Sequence, residues 1–566
     1  MINRVVMHHF LKRPVALTML AAMTIVASPY TLADDDNAES ASAHILQAEI
    51  ALQGDDYLKA AIEYRKAAEF SDNIEIARQA TRITFDFGFN DEALGAAKRW
   101  FELDPGSDEA LIHLAQIQLR QGDMRDARRN FKTLIERGDQ PAEQRLFTLM
   151  GFLAEEDPEK THELMRALAR PYEESARAHY AAAAVALQAN HMDFAIEHTQ
   201  RAIELDPEWL KAKLLYARIL LVSGEGDEAI DYTARIIGDD PDPDPDARME
   251  LALMYLTAGR DDDALSQVNQ VLLERASRTD ALRMMAIINF RQNNLDAAWD
   301  DFEDLLASGD YTADALFYLA RIADYRDEHD RAIRLYSEVK GGKNAVTSQR
   351  RASALLAHER DDPETALQQL SEFADSRPRY AIDMVLAEAQ LLASLRRYPE
   401  ALDNYDRAVV YRPDDESIAL GRAELMLRMD RLDDSLSAYR EAARRWPESS
   451  VTLNALGYTL ADRTDEYREA EKLIRKALGY NPDSPAIIDS LGWVLHKRGK
   501  HEEALEQLEI AYDKFPDHEV AAHLVEVLAA LERTDEALEI LATAELEDPE
   551  SDLLKDARER LFPETP

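Results

Sequence analysis

Small and apolar positions along this chain repeat with one long period. A small residue, most often behind one or two acidic ones near the start of an apolar stripe, falls at Ala60, Ala93, Ala127, Ala195, Ala229, Ala264, Ala298, Ala332, Ala366, Ala401, Ala470, Ala504 and Ala537. Successive intervals are 33 to 35 residues, apart from gaps of 68 and 69 that Thr161 and Ser435 fill in phase. Around each landmark the apolar residues recur at spacings of three and four, the signature of amphipathic helices. A period of about 34 residues fits two antiparallel helices and a turn. The pattern therefore predicts about fifteen helical hairpins between Ser40 and Pro549.

Other landmarks keep the same step. Proline recurs at Pro105, Pro207, Pro241, Pro378, Pro413, Pro447, Pro482, Pro516 and Pro549, where it stops one hairpin's second helix. An aromatic four residues past the small landmark, as at Tyr64, Phe131, Phe302, Tyr336, Tyr405 and Tyr439, lies one helical turn further on the same face. The clearest copy runs from Asp489 to Pro516, with Leu491, Gly492, Leu495, Gly499, Ala504, Leu508, Ala511 and Pro516 in place; Leu456, Gly457, Ala470, Ala477 and Pro482 nearly repeat it. Gly492, Ala504 and Ala511 are small because neighbouring helices approach closely there. These residues resemble the signature of the tetratricopeptide-repeat family, and the likeness extends over nearly the whole chain after residue 40. It implies an all-α fold, a right-handed superhelical solenoid of about fifteen helix-turn-helix repeats. Pentatricopeptide and HEAT arrays lack this combination of landmarks. The fourth repeat, Leu146 to Leu168, keeps little but its phase and reads as a kink or spacer.

Domain boundaries follow. Arg4, Lys12 and Arg13, an apolar stretch Val15–Val26 and Thr31-Leu32-Ala33 ahead of Asp34-Asp35-Asp36 read as an export signal cleaved after Ala33. The apolar stretch is shorter than the ~20 residues a spanning helix needs. The expected layout is a signal peptide at 1–33, an acidic flexible linker at 34–41, the repeat array at 42–549, and a capping helix and tail at 550–566 carrying Leu553, Leu554 and Leu561. This places the chain in the periplasm or cell envelope, with no transmembrane segment once the signal is removed.

Charge and composition narrow the function. The net formal charge is −43, which disfavours nucleic acid and anionic membranes as partners and suits a solvated surface or basic protein segments. There is no cysteine, so disulfides, thiolate metal sites, a cysteine nucleophile and an N-terminal lipid anchor are all excluded. His518 and His523 flank Glu519 in H-E-V-A-A-H, but the extra residue places the second histidine about 140° around the helix from the first, off the shared face that a zinc-hydrolase pair needs. The run Asp239–Asp246 lacks the central glycine and closing glutamate of a calcium loop, and its prolines suit a rigid turn with a helix cap. No phosphate loop, nucleophile elbow or catalytic triad is present. A non-catalytic protein is expected, with no metal, no cofactor and no small-molecule substrate.

Each repeat's first helix has one stripe not needed for helix packing. In the middle of the chain this gives Arg283, Phe290, Arg291, Phe317, Tyr318, Arg321 and Tyr325; near the end it gives Asn454, Tyr458 and Asp462, then Asp489, Trp493 and His496. Aromatic and arginine side chains are enriched at binding hot spots. The same residues could equally shield the groove or complete inter-helix packing. Export, a single array, and the text S-L-G-W-V-L followed by F-P-D-H-E-V-A-A-H-L-V-E-V-L are similar to a proteobacterial envelope family. Its best-known member is an outer-membrane lipoprotein adaptor that brings cell-wall hydrolases to a carboxyl-terminal processing protease. The resemblance implies a periplasmic protein-binding adaptor whose partners are such a protease and its substrates. The alternative is a structural scaffold of an envelope polysaccharide or secretion machine.

Overall fold

A computed structural model describes residues 35–54, 56–138, 140–238 and 243–563; the expected signal peptide at 1–33 lies outside them. Among the described residues there are 31 α-helices, two 3₁₀ turns and no strand. The helices pair as fifteen hairpins, from α1 (Asp35–Gln53) with α2 (Tyr57–Glu69) to α29 (His518–Ala530) with α30 (Thr534–Glu547), and α31 (Asp552–Leu561) follows. Helix α1 already begins at Asp35 and takes in most of the stretch 34–41 expected as a linker.

The periodic residues do the work their spacing predicts. Every landmark alanine from Ala60 to Ala537 is fully buried, as are Thr161 and Ser435 in the doubled gaps. The Ser435 hydroxyl donates to the Ala423 carbonyl across the hairpin (2.8 Å). Thr161, in the irregular fourth repeat, is enclosed without such a partner. The aromatics one turn on, from Tyr64 to Tyr439, are likewise in the core. A methyl group on Gly492 would lie 2.5 Å from Leu508 Cγ and 3.2 Å from the Ala504 carbonyl oxygen, so the closeness of the two helices fixes that glycine.

Proline sets the helix ends by restricting the residue before it. Asp104, Trp446, Asn481, Phe515 and Asp548, each followed by proline, all leave the helical region, with φ between −119° and −153°. The turn inside a hairpin is tight and passes through the left-handed region: Gly499 holds it at φ 73°, and Asn293, Asp327, Asp361, Arg396, Asp430 and Glu532 do so at 53° to 59°. Asp244 accepts from the Asp246 amide at the start of α13 (Pro245–Thr257), so the end of the acidic proline-rich run caps a helix.

The chain divides into two compact units, one ending at Met384 and one spanning Val385–Pro566. The core of the first includes a cluster from Leu111 to Val185 and another from Ala286 to Leu355. The second is built on one cluster that runs from Ala423 to Phe562. Leu554, Ala557 and Phe562 bury the last helix against it, whereas Leu553, expected to cap, faces solvent.

Candidate protein-interaction surface

The mid-chain stripe lies in the first unit, on α15 (Thr279–Arg291) and α17 (Thr312–Tyr325). The two helices are pinned side by side by Arg283, whose Nε donates to Asp314 (2.6 Å) and whose guanidinium lies over the Tyr311 ring. Arg291 is likewise committed, to Asp261 one repeat earlier. Tyr318 stacks on the buried Phe302 with ring centroids 4.8 Å apart, and Phe290 and Phe317 meet it edge-on. The Arg321 guanidinium lies 4.8 Å above Phe290 and within 6 Å of Phe317 and Tyr318. It forms no ion pair with any described residue. One turn on, Tyr325 is 71% exposed. Of the seven residues, Arg283 and Arg291 therefore hold the structure, Phe290, Phe317 and Tyr318 are half-buried rings packed on the core, and Arg321 on top of them and Tyr325 are exposed. A cation spread on aromatic faces beside a solvated phenol is a ready contact for a polypeptide.

The second stripe lies in the second unit and is arranged differently. Here α25 (Ser450–Arg463), α27 (Pro485–Lys497) and α29 converge so closely that Tyr458 donates to Glu519, two repeats on, at 2.7 Å. Asp489 and Trp493, expected on an open face, are enclosed at 5% and 4% exposure. Asp489 accepts from His523 Nδ1 (2.9 Å). Trp493 stacks with His523 (4.2 Å) and with His496 (5.4 Å) in near-parallel planes, with Lys497 over its ring. The physical reason is that a buried carboxylate needs a charged partner and a large ring gains from stacking, and His523 of the next first helix supplies both. Asn454 is half-buried, with its side-chain oxygen enclosed and unpartnered.

The electrostatics follow from this closure. Burial disfavours a charge on His523, yet Asp489 beside it raises its pKa above the ordinary histidine value. Burial and the nearby His501 push His496 down to about 4. Burial, then the Glu519 carboxylate, moves the Tyr458 phenol far above its usual range. His518 faces Asp548 (3.2 Å) and His523 faces Asp489, so the two histidines of H-E-V-A-A-H serve different neighbours. The reading from sequence missed Glu519 and His523 as members of this network. The signal was available: an acid at a core-facing position calls for a partner one period on, and His523 stands 34 residues after Asp489.

Known proteins share the repeat. Models of the tetratricopeptide repeat match residues 109–137, 193–249, 283–345, 386–450, 454–519 and 495–561, together more than half of the chain. A TPR repeat-containing protein of Pseudomonas aeruginosa is 38% identical over 213 residues, 38% of this chain and 36% of that protein. Tetratricopeptide repeat protein 7A of Homo sapiens is 33% identical over 130 residues, 23% of this chain and 15% of its own length. The chain thus spans at most 36% of the length of these curated relatives. Among solved structures, an APC/C hetero-tetramer Cut9-Hcn1 chain aligns over 93% of this chain and 97% of its own, at 15% identity and a TM-score of 0.33. Yeast Tom70 aligns over 89% and 91%, at 16% identity and a TM-score of 0.36.

Proposed function

Since the chain belongs to the tetratricopeptide-repeat family, whose repeats serve as protein-binding scaffolds, we propose that it is a non-catalytic adaptor that holds a polypeptide on the first unit's stripe. The observation that carries this reading is Arg321: a guanidinium without a carboxylate, resting on three rings beside the exposed Tyr325. In a chain with 109 acidic and 66 basic residues, most arginines have a carboxylate to pair with, so an unmatched one on an aromatic platform suits an incoming acceptor.

The export signal read at residues 1–33 and the family likeness of the C-terminal repeats support a periplasmic role, in which the adaptor presents cell-wall hydrolases to a carboxyl-terminal processing protease. The scaffold of a glycan-export or secretion machine is the second reading, favoured by the length of the array. The test is a periplasmic pull-down with the chain from residue 34, run in parallel with Arg321→Ala/Tyr325→Ala. Recovery of a processing protease with a wall hydrolase, lost in the double variant, supports the adaptor. Recovery of glycan-export components instead transfers the assignment to the scaffold, and recovery of the same partners by the double variant refutes the assigned surface.

A further inference from the structure

A second kind of site sits elsewhere in the first unit, away from α15 and α17. A cavity of about 400 Å³ opens where the fourth repeat departs from the others, lined from α6 (Met124–Glu136), α8 (Pro158–Ala169), α9 (Ala176–Gln188) and α10 (Met192–Leu205). Helix α8 stops at Ala169, and a 3₁₀ turn, Arg170–Tyr172, stands where α10 continues for two more helical residues. That turn brings Arg170 and Tyr172 to the same rim as Arg128 of α6 and Arg166 of α8.

These three arginines form no ion pair and no hydrogen bond with any described residue. Their neighbours do: Arg120 pairs with Glu156 (2.8 Å), Arg129 with Asp126 (2.8 Å), Arg145 with Asp108 (3.1 Å) and Arg201 with Glu204 (3.0 Å). The lining itself sets these three arginines against two glutamates, Glu163 and Glu173, and Glu136 and Glu143 act on Tyr172 from beside it. The inner wall is fixed. Phe194 stacks on His198 at 4.0 Å, His198 meets His179 nitrogen to nitrogen at 3.0 Å, and His179 Nε2 donates to the Glu173 carbonyl at 2.9 Å. A concave site of this size, with an aromatic wall and three arginines in its lining, suits a ligand that carries an anionic end.

We propose that this cavity binds a small organic oxyanion, a carboxylate or phosphate monoester on a planar body. The guanidiniums of Arg128, Arg166 and Arg170 take the charged end, and Phe194 and Tyr172 take the body. The site is independent of the polypeptide surface on α15 and α17.

Isothermal titration of the whole chain at low ionic strength with phenyl phosphate, benzoate and inorganic phosphate tests it. Saturable binding of phenyl phosphate or benzoate, tighter than inorganic phosphate, is expected, and the better of the two identifies the anion. Arg166→Gln/Arg170→Gln should weaken it by about ten-fold or more, with an unchanged unfolding curve because both side chains are exposed. Arg177→Gln, just beyond the rim, should bind as the unaltered chain does. No saturable binding of any probe, or equal binding by the double variant, overturns the proposal.

Discussion

Two stretches with the same sequence rhythm, both rich in aromatic and charged residues on first helices, end in opposite states. On α15 and α17 the stripe stays open: its ion pairs run along the edges, and Arg321 and Tyr325 are left to solvent. On α25, α27 and α29 the stripe is closed by its own neighbours, with Trp493 stacked against two histidines and Asp489 paired to His523. The difference lies in where the next charge falls. When the matching carboxylate sits at the edge of the following helix, as Asp314 does for Arg283, the rings between remain accessible. When it faces inward, as Asp489 does, burial demands a partner and the helices draw in around the pair.

The largest effect expected from this contrast is in the second unit. Trp493→Ala should lower unfolding free energy by about 4 kcal/mol, read from urea denaturation, and leave partner recovery through the first unit intact. Gly492→Ala forces a methyl group against Leu508 and the Ala504 carbonyl and should lower it by about 2 kcal/mol; a neutral result would show that the two helices are not held at this distance.

A pH series sharpens the comparison further. The raised pKa of His523 means that its pair with Asp489 supports the fold fully below the ordinary histidine value of about 6.5, and that this support is lost as pH rises through the raised value. His496 acts in the opposite sense: the stability present above about 6.5 is lost as pH falls towards its depressed value of about 4. His496→Gln should therefore unfold less readily than the unaltered chain in that acid window. Equal acid sensitivity would contradict the buried, neutral state assigned to it. The smallest expected effect on stability is at Tyr325, where truncation to alanine should change unfolding by less than about 0.5 kcal/mol.

Much of this was legible from spacing alone. The small landmarks, the prolines and the in-phase aromatics set the hairpins, because each acts through its own backbone or its immediate helix neighbour. The state of the stripes was not, because it depends on whether side chains a full period or two apart meet. Tyr458 and Glu519 are 61 residues apart, and nothing within either helix announces their contact. Leu553 was misplaced for a related reason: with no following repeat, the last helix chooses its own buried face, and Phe562 rather than Leu553 completes it. The cavity at the fourth repeat was visible only as a weak copy of the pattern.

The most direct measurement is partner binding by Tyr325→Ala set beside Trp493→Ala, with the unfolding curve of each recorded in parallel. Opposite outcomes are predicted: Tyr325→Ala loses the partner and keeps its stability, while Trp493→Ala loses stability and keeps the partner. Retention of the partner by Tyr325→Ala, or its loss in a Trp493→Ala chain that is still folded, would contradict the assignment of an open, binding stripe to the first unit and a closed, structural one to the second.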